Sequence, residues 1–368
     1  MRIINGLVYT ENRSFERLDM SFGTRIEAMG RFGGAEGFDA RDCFVIPGLV
    51  DIHTHGAMNE DASDGSAGGL SKMSAHYAAN GVTSFCPTTM TLKEPQLKEA
   101  MEAVAAFDRG SGARCAGINL EGPFLSYAKR GAQAAENLHA PDADMFQRLN
   151  ERSGGAIRLV TVAPEEPGAM KFISEISREC TVSLGHSSAD YETAMAGFAA
   201  GATHATHLFN GMPSFLHRQP GIVGAALDSG ATVELICDGM HIHPTVIRAV
   251  YRMFGDKLCL ISDSLRCAGM PDGDYELGGQ PIVMKGGRAT LLDGNLAGSS
   301  ITVLDAVRNV VKFGIPLADA VWAASGAPAG VIGAADIGAL APGRRADIVV
   351  LDSDLKLKAV FIDGEKVV

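Results

Sequence analysis

The stretch "FVIPGLVDIHTHG", residues 44–56, decides the fold. Val45, Ile46, Leu49, Val50 and Ile52 read as a buried strand that ends in two imidazoles one residue apart, His53 and His55. Side chains alternate along a strand, so residues i and i+2 face the same way. A strand running to His55 sets both imidazoles on one face, where neutral ring nitrogens suit a divalent transition metal. The alternative is a pair of hydrogen-bonded histidines in a turn. The stretch alone does not separate the two, and further ligands have to come from elsewhere in the chain.

Outward from this stretch, short β-branched runs alternate with helical spacing. The runs are "FVIPGLVDIH", "GVTSFCPTT", "CAGINLEGP", "IRLVTVAPE", "CTVSLGHSS", "ATHATHLFN", "ATVELICDG" and "KLCLISDS". Between most of them lie segments with apolar residues at helical spacing, such as "EPQLKEAMEAVAAFD", "DYETAMAGFAAG" and "PTVIRAVYRMFG". Asp190 and Pro244 supply start signals for two of these helices. Strands alternating with helices imply parallel βαβ units, and eight of them imply a closed (β/α)8 barrel of the TIM type. An open doubly wound sheet is the architectural alternative.

The two ends read differently. Residues 1–45 carry short alternating runs without a clear helix, and residues 338–368 do the same, with an Asp363-Gly364 turn. We expect these termini to meet in a small β-sandwich domain beside a barrel over 46–337. The stretch "YELGGQPIVMKGGRATLLDGNLAGSS", 275–300, reads as an inserted hairpin.

A chain of 368 residues with 46% hydrophobic and 20% charged side chains buries a large core. A net charge of -11 argues against general nucleic-acid binding, though not against a local basic pocket for a small anion. The seven cysteines form no C-x-x-C pair and sit mostly in apolar runs, as reduced core residues of a cytosolic, cytoplasmic protein do. No signal-peptide core or bilayer-spanning stretch is expected.

Chemistry on such a barrel sits at the C-terminal strand ends. There the sequence places His53 and His55, then Glu121, His186, His207, Asp238 leading to His241, and Asp263. Each alone has an ordinary structural reading, as a turn carboxylate, a helix-entry residue or a cap. Their joint occurrence is hard to obtain from packing, because buried charges are costly unless paired or bound to metal. Histidines with a glutamate around an open position form a catalytic-metal ligand set, and a free aspartate opposite can take a proton from water. His204, close to His207, reads as a core or supporting histidine.

The motifs "PGLVDIHTHG", "GVTSFCPTT", "EGPFLSYAKRGAQ", "GHSSA", "THLFNGM", "RQPG", "DGMHIHP", "SDSLRCAGMPDGDYELGG" and "LAGSS" cover nearly the whole chain. Together they resemble the amidohydrolase superfamily, and within it the N-acetylglucosamine-6-phosphate deacetylases. The resemblance implies metal-dependent hydrolysis of N-acetyl-D-glucosamine 6-phosphate to D-glucosamine 6-phosphate and acetate, in amino-sugar catabolism or cell-wall sugar recycling. It implies one or two divalent ions per subunit, zinc first, with iron, cobalt or manganese also suited to such ligands. Glu121, His186 and His207 resemble the ligands of the main ion; His53 and His55 resemble those of a second. Asp263 resembles the acid/base, and His241 a ligand to the sugar or its carbonyl. Gln133, Asn210, Gly211, Leu296, Ala297 and Gly298 resemble substrate contacts. Arg218 resembles a phosphate-binding arginine that reaches the neighbouring site of a homodimer. Two positions depart from the pattern: Gln133 stands where many relatives carry a histidine, and Gly211 where alanine is common. Neighbouring alternatives are a deacetylase for N-acetylgalactosamine 6-phosphate or an N-acyl amino acid, and a catalytically silent phosphosugar-binding protein. No nucleic-acid or membrane partner is expected.

Overall fold

The computed structural model describes residues 1–32 and 36–368. The opening stretch divides at Gly48. Phe44–Pro47 joins an outer sheet, and Leu49–Thr54 is the first barrel strand. Glycine is required between them, because a Cβ at position 48 would lie 2.0 Å from Thr83 Oγ1. Val45 then packs in the outer core and Ile46 and Leu49 in the barrel core, as the strand period dictates.

The barrel strands are Leu49–Thr54, Val82–Thr89, Ile118–Glu121, Ile157–Val162, Thr181–Leu184, His204–Ala205, Thr232–Ile236 and Leu258–Ile261, and each pairs in parallel with the next. The first and eighth are joined at their C-terminal ends by two backbone bonds. Asp263 N–H donates to the His53 carbonyl and His55 N–H to the Ser264 carbonyl, both at 2.9 Å. The barrel is therefore the observed architecture, and the open-sheet alternative falls. Inside it, Val50, Ile52, Cys86, Leu159, Ile236, Cys259 and Ile261 pack against the 326–337 segment, which plugs the bottom. Each fully buried Val, Leu or Ile contributes roughly 1.5–3 kcal/mol.

Helices cover the outside, among them Ala67–Ala79, Glu94–Ala105, Tyr191–Ala200 and Pro244–Phe254. Asp190 accepts from Thr193 N–H as the cap of the third of these, and Pro244 opens the fourth. Helix Gly221–Ser229 is apolar nearly all round, so it lacks the polar face that marks a surface helix in a sequence.

The outer sheet has eight strands drawn from both termini, with Ile348–Leu351 antiparallel to Phe44–Pro47. Its own core contains Ile3, Val8, Met20, Phe22, Ile348, Val350 and Phe361. The strand Phe44–Pro47 crosses the boundary expected at residues 45/46 and belongs to this sheet. The expected hairpin is a three-stranded meander, Gly273–Leu277, Gln280–Lys285 and Arg288–Leu291. Its tight turns are Gly278-Gly279 and Gly286-Gly287, all four at positive φ, as mirror-image hairpin turns demand. Among the described residues no helix is long and apolar enough to cross a membrane, and all seven cysteines are free.

Candidate active site

Six side chains converge at the C-terminal mouth of the barrel. His53 and His55 point inward from the end of the first strand, and Glu121 closes the third. His186, His207 and Asp263 follow the fifth, sixth and eighth strands within two residues, and all three have left-handed backbone, φ 45°, 22° and 48°. Such conformations cost of order 1–3 kcal/mol each outside glycine and persist only where the surroundings hold them.

The imidazole Nε2 atoms face one another and share one carboxylate. His186 and His207 Nε2 are 3.0 Å apart, and they lie 3.2 and 2.9 Å from Glu121 Oε1. His55 Nε2 is 3.2 Å from Glu121 Oε2 and 3.3 Å from Asp263 Oδ1. His53 Nε2 is fully buried and has no hydrogen-bond partner among the described residues; it lies 3.4 Å from Glu121 Oε1 and 3.6 Å from Asp263 Oδ1. Donor atoms of His53, Glu121 and His207 fall within 4.8 Å of one another, as do those of His53, His55 and Asp263. His53 thus sits in both sets, whereas the sequence reading gave it to the second ion alone.

The opposite ring nitrogens explain this orientation. His53 Nδ1 meets Glu234 Oε2 at 2.9 Å, His55 Nδ1 the Thr88 carbonyl at 3.1 Å, and His186 Nδ1 the Lys129 carbonyl at 2.8 Å. An Nδ1–H donated outward leaves a lone pair on Nε2 directed inward, the tautomer that binds a metal. The donor set therefore fits a divalent ion, which these imidazoles and Glu121 would hold. His207 Nδ1 has no partner among the described residues, and its main-chain N–H instead donates to Glu234 Oε2 at 3.0 Å.

Burial and neighbouring charges oppose each other at this centre. Burial lowers the pKa of His53, but Glu234 and Glu121 more than reverse this and hold it well above its ordinary value. Burial raises Asp263, while the His55 hydrogen bond and the His53, His55 and His207 charges bring it below the ordinary carboxylate range. Burial likewise raises Glu234, yet His53 and His204 hold it well below normal. Burial pushes Asp51 up to about 7, against its hydrogen bonds to Ser262 and to the backbone of His53.

Glu234 and Asp51 are the residues that the sequence reading missed. Both are fully buried. Glu234 also meets His204 Nε2 at 3.2 Å, which puts His204 in the supporting layer. A lone carboxylate inside the apolar run "ATVELICDG" was the available signal, because an ion in a barrel strand needs partners.

The remaining candidates line a cavity of about 280 Å³. His55, Glu121, Gln133, His186, His207, Asn210, Gly211, His241, Asp263, Leu296, Ala297 and Gly298 all face it, beside Leu277 of the meander. His241 Nδ1 is 2.7 Å from Asp238 Oδ2. Gly211 has φ 58°, and a Cβ there would lie 2.9 Å from His186 Nδ1. Gln133 is buried with both ends of its amide engaged, by Thr91 N–H at 2.6 Å and by Glu121 Oε2 at 2.9 Å. Arg218 is not in this cavity. It is exposed on a loop with Phe215 and Leu216, with Nη1 2.7 Å from His217 Nε2.

A hydrolytic metal centre at the mouth of a parallel barrel is the class that this fold and site define. A model of the amidohydrolase family matches residues 44–367, and the chain belongs to that family. It is 37% identical over 327 residues to an N-acetylgalactosamine-6-phosphate deacetylase of Escherichia coli O157:H7, with 87% of each chain covered. It is 37% identical over 333 residues to the N-acetylglucosamine-6-phosphate deacetylase of Bacillus subtilis (strain 168), covering 88% of this chain and 84% of that one. A solved structure of an N-acetyl-D-glucosamine-6-phosphate deacetylase mutant from Mycobacterium smegmatis, in complex with N-acetyl-D-glucosamine-6-phosphate, superposes with TM-score 0.95 at 32% identity, covering 100% of this chain and 99% of that one. The family is metal-dependent, in keeping with the donor sets described above.

Proposed function

We propose that this chain hydrolyses the acetamide of N-acetyl-D-glucosamine 6-phosphate, giving D-glucosamine 6-phosphate and acetate. The observation that carries the reading is Asp263, a carboxylate held 3.3 Å from His55 Nε2 inside a cavity walled by the donor sets. When bound, a divalent ion supplies Lewis acidity that activates water and polarises the carbonyl. Zinc is the first choice, with iron, cobalt or manganese as alternatives. Glu121, His186 and His207 would hold the main ion, and His55 would hold a second together with His53, which also lies within reach of Glu121 and His207.

Asp263 accepts the proton of the attacking water as the new C–O bond forms. His241, fixed by Asp238, donates from Nε2 to the carbonyl oxygen as negative charge grows there. Asp263 then delivers its proton to the departing amine as the C–N bond breaks. Asn210 and Gly211 contact the sugar, and Leu296, Ala297 and Gly298 wall the acetyl group. Arg218 takes the 6-phosphate of the neighbouring site in a homodimer, since its planar fork donates in pairs. The division we adopt is a barrel from Leu49 to residue 337 and a small domain from 1–47 plus 338–368, moved at its first boundary from the expected 45/46.

The Escherichia coli relative favours a second reading, with N-acetylgalactosamine 6-phosphate as substrate. Acetate release from N-acetyl sugars, each with and without the 6-phosphate, and from an N-acetyl amino acid separates the cases. N-acetylglucosamine 6-phosphate is expected to have the highest kcat/KM. Arg218→Ala is expected to lower that value roughly 30- to 150-fold, about 2 to 3 kcal/mol, mainly through KM. Preference for the unphosphorylated sugar or for the amino acid would reject the proposal.

A further inference from the structure

The segment after the third barrel strand wraps the first donor set from outside. Lys129 offers its carbonyl to His186 Nδ1 at 2.8 Å. Four residues on, Gln133 Nε2 donates to Glu121 Oε2 at 2.9 Å, and Gln133 Oε1 accepts from Thr91 N–H at 2.6 Å. Its two partners fix the orientation of the amide independently. A backbone N–H can only donate, so the oxygen must face Thr91; a carboxylate can only accept, so the NH2 must face Glu121.

Thr91 is itself held. Its carbonyl accepts from Asn137 Nδ2 at 3.3 Å. Its side chain closes on Gly122, where an added Cβ would lie 2.1 Å from Thr91 Oγ1. Asn137, Thr91, Gln133 and Glu121 thus form one continuous chain of contacts, and Gln133 is 3% exposed. Glu121 needs such an anchor. Its Oε1 serves His186 and His207, and its Oε2 serves His55, so a small roll of the carboxylate would spoil both sets together.

We infer that Gln133 is a positioning residue: it sets the roll of the Glu121 carboxylate across the two donor sets and is not a ligand of the sugar. The inference rests on the metal-centre reading above. It also reassigns a position that the sequence reading gave to substrate contact.

The test is zinc competition against a chromophoric chelator, run beside steady-state kinetics at saturating zinc. Gln133→Met keeps the length and removes both hydrogen bonds. It is expected to weaken zinc retention about 10- to 100-fold while KM changes less than about threefold. Gln133→His, which restores a ring N–H donor, is expected to recover part of the retention. Thermal unfolding of both variants identifies a folding defect; if Gln133→Met does not fold, Gln133→Leu is measured in its place. Unchanged zinc retention would overturn the inference, and so would a KM raised more than about tenfold at saturating zinc. Wild-type protein that retains no zinc would overturn the reading beneath it, and this inference with it.

Discussion

Glu234 Oε2 lies 2.9 Å from His53 Nδ1 and 3.0 Å from the main-chain nitrogen of His207. One carboxylate on the seventh strand therefore orients a side chain from the first strand and the backbone beyond the sixth. Glu234→Ala leaves His53, His204 and the His207 N–H without their acceptor in a fully buried site. The expected cost is about 3–5 kcal/mol of stability, as for other broken buried pairs. Glu234→Gln keeps an acceptor oxygen and should lose less stability, with metal retention reduced about 10- to 100-fold. Thermal unfolding and metal analysis check both. Full metal retention in Glu234→Ala would refute the supporting role.

Gly298 is the close neighbour of the proposed acid/base. A Cβ there would lie 2.4 Å from the Asp263 carbonyl oxygen and 2.8 Å from Leu265 Cδ2. Ser299 N–H also donates to that carbonyl at 2.7 Å, so the backbone has little room to yield. Gly298→Ala should displace Asp263 and lower kcat about 10- to 100-fold with the metal content intact. Kinetics together with metal analysis measure this, and an unchanged kcat would count against the positioning argument.

His241 gives a pH dependence with a definite sign. Burial lowers its pKa, but the hydrogen bond and charge of Asp238 more than offset this and raise it above 6.5. Because Nδ1 faces Asp238, Nε2 carries a proton only in the imidazolium form. Activity that uses this donor is present below the raised pKa and is lost as pH rises through it. Asp238→Asn removes the raising partner, so the alkaline limb of kcat should move to lower pH. A limb that stays in place in Asp238→Asn would exclude His241 as the titrating donor.

The sequence already carried the barrel in eight short β-branched runs that alternate with helical spacing, most of them ending in histidine or a carboxylate. The sixth strand was legible only through its histidines; it is two residues long, His204–Ala205, and its period cannot be read. Helix Gly221–Ser229 escaped for the opposite reason, having no polar face to set a period. The six convergent side chains of the site were legible as types at strand ends. The layer beneath them was not. Glu234 sits in mid-strand, and Gln133 lies on a loop whose path to Glu121 no local pattern encodes. The positive φ at His186, His207 and Asp263 was equally hidden, since it follows from the packing around each strand end.

In the proposed mechanism Asp263 carries the proton between water and the departing amine at a metal centre built by its neighbours. Asp263→Asn keeps the side-chain shape and removes the proton acceptor. The deciding measurement is kcat for acetate release from N-acetyl-D-glucosamine 6-phosphate by this variant, with metal content and KM determined on the same preparation. The account predicts retained metal, a KM within about threefold of wild type and a kcat lower by roughly three orders of magnitude or more. A metal-loaded Asp263→Asn enzyme that turns over at a rate near wild type would contradict it.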